Sequence, residues 1–118
     1  MTESLMLKKS KAFALRIVRL YKYLREHKES VIAKQMLRAG TSIGANIAES
    51  RYAQSKADFA SKLQIALKEA AETEYWLELL RDAEIVERGP AFDSICDDCT
   101  ELIKMLTASV KTVKAESC

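Results

Sequence analysis

The sequence predicts an all-α fold, an antiparallel up-down-up-down four-helix bundle, in which residues 1–118 form a single domain. With 3 glycines and 1 proline in 118 residues, the chain lacks the turn formers that a β-rich fold of this size requires. Apolar residues recur at helical spacing in four segments. The segments between them are short, and short connections place successive helices antiparallel as neighbours.

The first two helices are predicted over Ser4–His27 and Val31–Ser50, with Ser30 as the N-cap of the second. Their apolar stripes comprise Phe13, Ile17, Leu20, Tyr21 and Leu24, then Ile32, Met36, Ala39, Ile43 and Ile47. Gly40 and Gly44 lie within the second helix, where each costs about 1 kcal/mol of helix propensity. We therefore expect another helix to approach closely at this point.

The third helix is predicted to begin after Ser55 and to end near Asp82, because Ser55 and Asp58 resemble a capping box. Its apolar stripe consists of Phe59, Leu63, Ala66, Ala70 and Leu77. A second apolar line contains Ile65, Trp76 and Leu79. We predict that this line is a subunit interface, because Trp is enriched in interfaces. The alternative is a wide core that includes these three residues.

Gly89-Pro90 predicts the start of the fourth helix, over Ala91–Lys114, because proline suits the first turn of a helix. Its apolar stripe includes Cys96 and Cys99, so their C-x-x-C spacing indicates buried structural thiols rather than a redox pair. A zinc site needs about four ligands, and the pair with the near-terminal Cys118 and the single His27 is too thin a set to predict one. Cysteines without a signal peptide favour the cytoplasm.

The sequence predicts no enzyme, no cofactor and no metal. It contains one histidine and lacks nucleophile-elbow, P-loop and dinucleotide motifs. Four glutamates on the third helix are typical of di-iron bundles, but those sites need Glu-x-x-His motifs on two helices. No apolar run is long enough to span a membrane.

Charge is distributed unevenly along the chain. Residues 1–60 carry 12 Lys/Arg and 5 Asp/Glu, a local charge of +7, whereas residues 61–118 carry 7 and 12, a local charge of −5. Lys8, Lys11, Arg19 and Lys22 form a basic stripe opposite the apolar stripe of the first helix. This stripe either contacts phosphates or is an ordinary solvated surface, and no aromatic residue in it could stack on bases. Attraction between oppositely charged helices is a further explanation of the asymmetry.

Residues 35–80 resemble the four-helix bundle proteins encoded in intervening sequences of bacterial 23S rRNA genes. The family pattern is approximately Q-L-x-R-A-x-x-S-I-x-x-N-I-A-E-G, followed by a short basic turn, a Phe-containing helix start, an I-A pair and, further along that helix, E-x-E. The chain matches it at Gln35, Arg38, Ala39, Ser42, Ile43, Asn46, Ile47, Ala48, Glu49, Arg51, Phe59, Ile65, Ala66, Glu72 and Glu74. Ser50 replaces a glycine, and Lys68-Glu69 replaces Gly-Ser.

The resemblance implies an antiparallel four-helix bundle that assembles as a homopentamer. It also implies a relation to the accessory proteins of diversity-generating retroelements, which work with a reverse transcriptase and nucleic acid. The intervening-sequence members are associated by gene location with fragmented 23S rRNA, and some carry a ribosomal-protein label.

The polar residues of this motif suggest a network between the second and third helices. The candidates are Arg38, Ser42, Asn46, Glu49, Arg51, Glu72 and Glu74. A bond from Arg38 or Asn46 to Glu74 would fix the helix register, as a buried polar residue does in coiled coils. A functional polar site at a subunit junction is the alternative.

Together these observations predict a non-enzymatic homo-oligomer that binds RNA or a ribonucleoprotein through Lys8, Lys11, Arg19 and Lys22. The alternative is a protein–protein interaction scaffold without a nucleic-acid role, which the acidic second half favours.

Overall fold

Four α-helices form the described part of the chain, as the sequence predicts. The computed structural model describes the backbone of residues 2–117 and the side chains of residues 5–116. The helices are α1 (Thr2–Glu26), α2 (Val31–Ser50), α3 (Lys56–Asp82) and α4 (Pro90–Ser117). They pack into a rod of 48 × 21 × 20 Å. None of the helices in the described part of the chain is both apolar and long enough to cross a bilayer.

Neighbouring helices run antiparallel, so the topology is up-down-up-down. The packed pairs are α1–α2, α2–α3, α3–α4 and α1–α4. Each helix therefore contacts the helices before and after it in a closed ring, and the α1–α4 contact is the least extensive. Contacts advance in opposite directions along α1–α2, where Ile17 meets Gly40 while Ser10 meets Gly44. They do so along α1–α4, where Arg16 pairs with Asp98 while Lys9 pairs with Glu101. Along α2–α3, Arg38 pairs with Glu72 while Glu49 pairs with Lys62.

The core runs along the axis of the bundle and consists of the inward stripes of all four helices. Its largest fully buried side chains are Phe13, Met6, Ile17, Leu24, Met36, Ile43, Ile47, Leu63, Leu77, Leu80, Leu102 and Leu106. Most of these lie at positions where apolar periodicity predicts burial. Leu20, Tyr21, Ile32 and Phe59 are only partly buried at the edges of the core.

Gly40 and Gly44 lie at a close crossing of α1 and α2, which confirms the expectation drawn from their spacing. A Cβ atom on Gly40 would lie 2.9 Å from Cγ2 of Ile17, and one on Gly44 would lie 3.3 Å from Oγ of Ser10. The small residues therefore let the two backbones approach. Ser10 is fully buried at this crossing and donates its hydroxyl to the carbonyl of Leu7 at 2.9 Å.

The start of α3 follows the predicted capping box. The hydroxyl of Ser55 accepts a hydrogen bond from the Asp58 backbone N–H at 3.0 Å. The Asp58 carboxylate accepts one from the Gln54 backbone N–H at 3.1 Å, one residue before the usual partner. The backbone N–H groups of Gln54 and Asp58, near the start of α3, thus both have acceptors.

The start of α2 differs from its prediction. Ser30 occupies the N-cap position, but its side chain makes no capping hydrogen bond. The Glu29 carboxylate instead accepts from the Ile32 backbone N–H at 2.7 Å. The Glu29 side chain is longer than that of serine, so it reaches the first turn of α2 from the residue before the N-cap. It therefore acts as the capping acceptor in place of the Ser30 hydroxyl.

Two helix ends use left-handed residues that are not glycine. Lys28 and Glu84 have φ values of 65° and 60°. After each, the next residue donates its backbone N–H back into the helix: Glu29 to Leu24 at 2.9 Å and Ile85 to Leu80 at 3.0 Å. These bonds form Schellman motifs, which end α1 and α3 without the usual glycine.

Candidate functional site

The basic stripe is an exposed line of cations along α1. Lys8, Lys11, Arg19 and Lys22 all face solvent. None of them forms an ion pair with a carboxylate among the described side chains. From Lys8 to Lys22 the stripe extends about 21 Å along the helix. It is therefore a row of cations on the outer face of the bundle that no ion pair with a described carboxylate neutralises.

Two other cations of α1 point towards α4 and are neutralised there. Lys9 Nζ lies 3.1 Å from a Glu101 carboxylate oxygen. Arg16 donates to Asp98 at 2.7 Å and to the Ser94 hydroxyl at 3.0 Å. The uneven charge of the sequence thus has two consequences. Some cations of α1 form ion pairs with carboxylates of α4 and so link the two helices. The other cations remain on the surface as the basic stripe.

An exposed aromatic pair, Tyr23 and His27, lies at the C-terminal end of this stripe. The two rings stack with centroids 4.0 Å apart and planes inclined by 29°. Tyr23 is 42% exposed and lies next to Lys22 in sequence. The Nδ1–H group of His27 donates to the Tyr23 carbonyl at 2.8 Å, which orients the imidazole ring.

Sequence reasoning missed this pair because it followed a narrow line of cations. Tyr23 lies about 40° around the helix from Arg19, outside that line but on the same exposed side. The available signal was an aromatic residue and a histidine four positions apart, since such residues are neighbours on a helix surface.

A second group of polar residues joins α2 to α3, and we call it the Arg38 cluster. Arg38 donates to Glu69 at 3.3 Å and also to Glu72. The indole N–H of Trp76 donates to the same Glu72 oxygen at 2.9 Å. The cluster comprises these four residues, and Glu72 accepts from both helices.

These contacts shift the pKa values of the charged groups. The Trp76 indole, and after it the Arg38 guanidinium, lower the pKa of Glu72 because they bind its ionised form. The hydrogen bond to Glu72 raises the pKa of Arg38. Arg38 is 50% exposed and Glu72 is 37% exposed, so solvent weakens the pair. The cluster therefore adds little to stability, and a role in fixing the helix register remains a prediction.

The expected bond from Arg38 or Asn46 to Glu74 is not formed. Arg38 pairs with Glu69 and Glu72, and the Asn46 amide donates to the Ser42 carbonyl at 2.9 Å. Glu74 instead lines a small depression beside α4. Position 74 is two residues beyond position 72, which turns its side chain about 200° around the helix.

The other motif residues make local contacts. Ser42 donates to the Arg38 carbonyl at 2.7 Å within α2. Glu49 accepts a hydrogen bond from Lys62 of α3 at 2.8 Å, and this bond raises the pKa of Lys62. Arg51 lies at the C-cap of α2. The motif therefore contributes two links between α2 and α3, one at Arg38 and one at Glu49.

The predicted interface residues lie on the outer side of α3. Ile65 is 39% exposed, and Leu79 is partly exposed. Trp76 packs partly against the core and donates to Glu72, so one of the three does extend the core. Contact with a second copy remains a prediction for this line.

The two cysteines of α4 lie in an unreactive setting. Burial raises the pKa of the Cys99 thiol to about 12, and its S–H group donates to the Ala70 carbonyl at 3.4 Å. Cys96 is only partly buried, contrary to the expectation that both thiols are buried, and this partial burial also raises its pKa. Thiols of this kind are poor nucleophiles, because the thiolate is the reactive form. Within the described residues, no three side chains of His, Cys, Asp or Glu are grouped so that they could hold a metal ion.

Comparisons with known proteins assign the family. The model of the 23S rRNA-intervening sequence protein family matches residues 2–108. A crystal structure of a protein with unknown function, from the S23 ribosomal protein family of Bacteroides thetaiotaomicron VPI-5482, is 55% identical with a TM-score of 0.89. The match covers 94% of this chain and 99% of that one. No curated protein matches the sequence significantly. The chain belongs to the 23S rRNA-intervening sequence protein family.

Proposed function

We propose that the protein is a non-enzymatic, homo-oligomeric bundle that binds RNA or a ribonucleoprotein through the basic stripe of α1. The main support for this proposal is that Lys8, Lys11, Arg19 and Lys22 are exposed and form no ion pair with a described carboxylate. Lys9 and Arg16, on the same helix, are neutralised by α4. A row of exposed cations without ion-pair partners is the electrostatic feature that phosphate backbones recognise.

Oligomerisation supplies the affinity that one stripe lacks. Four cations make few phosphate contacts, and non-specific binding of this kind is weak at physiological salt. Several linked copies bind together, which raises the overall affinity without any new contact. The family resemblance suggests a pentamer, and five stripes on one particle would form a multivalent surface.

The first prediction concerns the salt dependence of RNA binding. A variant with Lys8, Lys11, Arg19 and Lys22 all changed to Gln is expected to bind a 23S rRNA fragment more weakly. The magnitude of the slope of log affinity against log salt is expected to decrease by up to about 3.6 per chain, since each phosphate contact contributes about 0.7–0.9. Electrophoretic or fluorescence titration at several salt concentrations measures both quantities.

The matched control removes the same charge from other surfaces. Lys34, Lys68, Lys104 and Lys111 are exposed and form no ion pair with a described carboxylate, and all four are changed to Gln. We expect this control to retain most of the affinity and slope. Equal losses in both variants, or no binding of the wild type at low salt, would refute the proposal.

A protein–protein scaffold is the second candidate, and the acidic second half of the chain favours it. Residues 61–118 have a local charge of −5 from 7 Lys/Arg and 12 Asp/Glu. Ile65, which is 39% exposed, offers an apolar contact on the surface of α3. A protein that co-purifies at fixed stoichiometry after nuclease treatment would support the scaffold, provided that the purified protein binds no RNA.

A further inference from the structure

The Tyr23–His27 pair continues the basic stripe towards one end of the bundle. Arg19, Tyr23 and His27 follow one another at intervals of four residues, so they lie along one side of α1 and of the turn that directly follows it. Each ring covers one face of the other, and Tyr23 remains 42% exposed. An exposed aromatic face beside cations is the combination that binds single-stranded nucleic acid, because bases stack on the ring while phosphates contact the cations.

Tyr23 also borders an apolar cleft between α1 and the start of α4. The cleft has a volume of about 410 Å³. Its other apolar walls include Val86, Pro90, Phe92 and Ile95, and Arg88 also lines it. A flat base that stacks at Tyr23 therefore finds apolar side chains beside the ring, with a cation nearby for the adjoining phosphate.

The charges around the pair are mixed. Lys22, Arg25 and Glu26 line a shallow depression on one side, and Glu87 accompanies Arg88 in the cleft. Attraction for phosphate is therefore weaker here than along the stripe, so stacking must supply the binding energy at this end.

We propose that Tyr23 and His27 form a stacking platform for an unpaired RNA base, with the basic stripe holding the adjoining phosphates. This inference rests on the proposed RNA binding and specifies the kind of RNA, a single strand or loop rather than a duplex. Bases within an A-form duplex are stacked on each other and cannot reach a protein ring, whereas unpaired bases can be splayed out onto aromatic side chains.

The test compares Tyr23→Ala, Tyr23→Phe and Tyr52→Ala. Tyr52 is the matched control, because it is 78% exposed and lies beside Arg51 at the opposite end of the bundle. The probes are a fluorescent oligouridylate strand and a duplex RNA with the same number of phosphates. Circular dichroism checks that each variant is folded.

Tyr23→Ala is expected to weaken binding of the single strand about fivefold or more, with the salt slope and the duplex affinity unchanged. Tyr23→Phe keeps the ring and is expected to bind like the wild type. Tyr52→Ala is expected to have no effect. The unchanged slope separates stacking from phosphate contact, since a lost ionic contact lowers the slope.

The results distinguish this inference from the function on which it rests. If the wild type binds the single strand and Tyr23→Ala binds equally well, the platform is refuted and RNA binding by the stripe stands. If Tyr52→Ala loses as much affinity as Tyr23→Ala, the effect is not specific to the pair, and the platform is again refuted. If the wild type binds neither RNA, both proposals fail.

Discussion

Gly40 lies where α1 and α2 cross at short distance, and the side chain of Ile17 fills the space that a Cβ would occupy. The hypothetical Cβ lies 2.9 Å from Cγ2 and 3.0 Å from Cγ1 of Ile17. Ile17 is fully buried, and its branched side chain is restricted about χ1. It therefore cannot move aside without disturbing the core. One turn later, a Cβ on Gly44 would meet the smaller Ser10 at 3.3 Å.

The second prediction compares alanine at the two glycines. Alanine gains about 1 kcal/mol of helix propensity at either position. At Gly40 overpacking costs about 1–3 kcal/mol, so Gly40→Ala is expected to be neutral to destabilising by about 2 kcal/mol. Gly44→Ala is expected to be about 1 kcal/mol or more stable than Gly40→Ala. Urea denaturation followed by circular dichroism measures the difference.

A double mutant tests the cause. Ile17→Ala removes both atoms that a Cβ on Gly40 would approach, so adding Gly40→Ala to it should stabilise the chain through helix propensity. A Gly40→Ala penalty that is unchanged in the Ile17→Ala background would show that contact with Ile17 is not its source.

At the scale of a single element, α2 and α3 are capped by different side chains although a serine precedes each helix. Ser55 and Ser30 both precede helices, yet only the Ser55 hydroxyl accepts a bond from its helix. At α2 the Glu29 carboxylate takes this role. A carboxylate near a helix N-terminus also interacts favourably with the helix dipole.

The third prediction separates these caps. Ser55→Ala is expected to destabilise the protein by about 1 kcal/mol, because the Asp58 N–H loses its acceptor. Glu29→Ala should cost a similar amount, about 1 kcal/mol. Ser30→Ala is the control and should change the free energy of unfolding by less than about 0.5 kcal/mol. Equal effects for Ser30→Ala and Glu29→Ala would contradict the observed cap at α2.

At the scale of the whole molecule, opposite charges are arranged so that some join the helices and others remain outside. α1 is joined to α4 by Lys9–Glu101 and Arg16–Asp98. α2 is joined to α3 by Lys62–Glu49 and by the Arg38 cluster. The outer face of α1 has no described carboxylate paired with its cations. The small net charge of +2 conceals this separation.

The fourth prediction concerns acid stability. The pKa of Glu72 is lower in the folded state than in the unfolded chain. The ionised carboxylate therefore adds to the free energy of unfolding at pH values above its unfolded-state pKa of about 4.3. This stabilisation is lost as the pH falls through the folded-state pKa. At pH 7 Glu72→Gln is expected to cost about 0.2–1 kcal/mol, a small amount because the pair is partly exposed. The wild-type advantage should shrink on acidification below about pH 4.

Urea denaturation at pH 7 and pH 3 measures this change. Arg38→Gln serves as the comparison, because it removes one partner of Glu72 and leaves the Trp76 hydrogen bond. It should retain part of the pH dependence that Glu72→Gln loses. A constant difference between wild type and Glu72→Gln over this pH range would contradict the lowered pKa.

Much of the fold could be predicted from the sequence, because its signals are local and periodic. The inward stripes and the Gly89-Pro90 break predict the four helices, with ends displaced by at most a few residues. The left-handed residues Lys28 and Glu84 could not be predicted, since neither is a usual helix terminator. Their conformation is favoured by the chain reversals that pack α2 against α1 and α4 against α3.

Only part of the candidate site could be predicted from local, periodic signals in the sequence. The basic stripe follows from helical periodicity, so the sequence alone determined its residues and its place on α1. The partners of each charge depend on which helix lies opposite. Only the tertiary structure therefore decided that Arg16 is neutralised while Arg19 is free of described ion pairs, and that Arg38 bonds to Glu72 rather than to Glu74. Helical periodicity in the sequence determines which residues share a face of a helix. The packing of the helices determines which residues of another helix that face contacts.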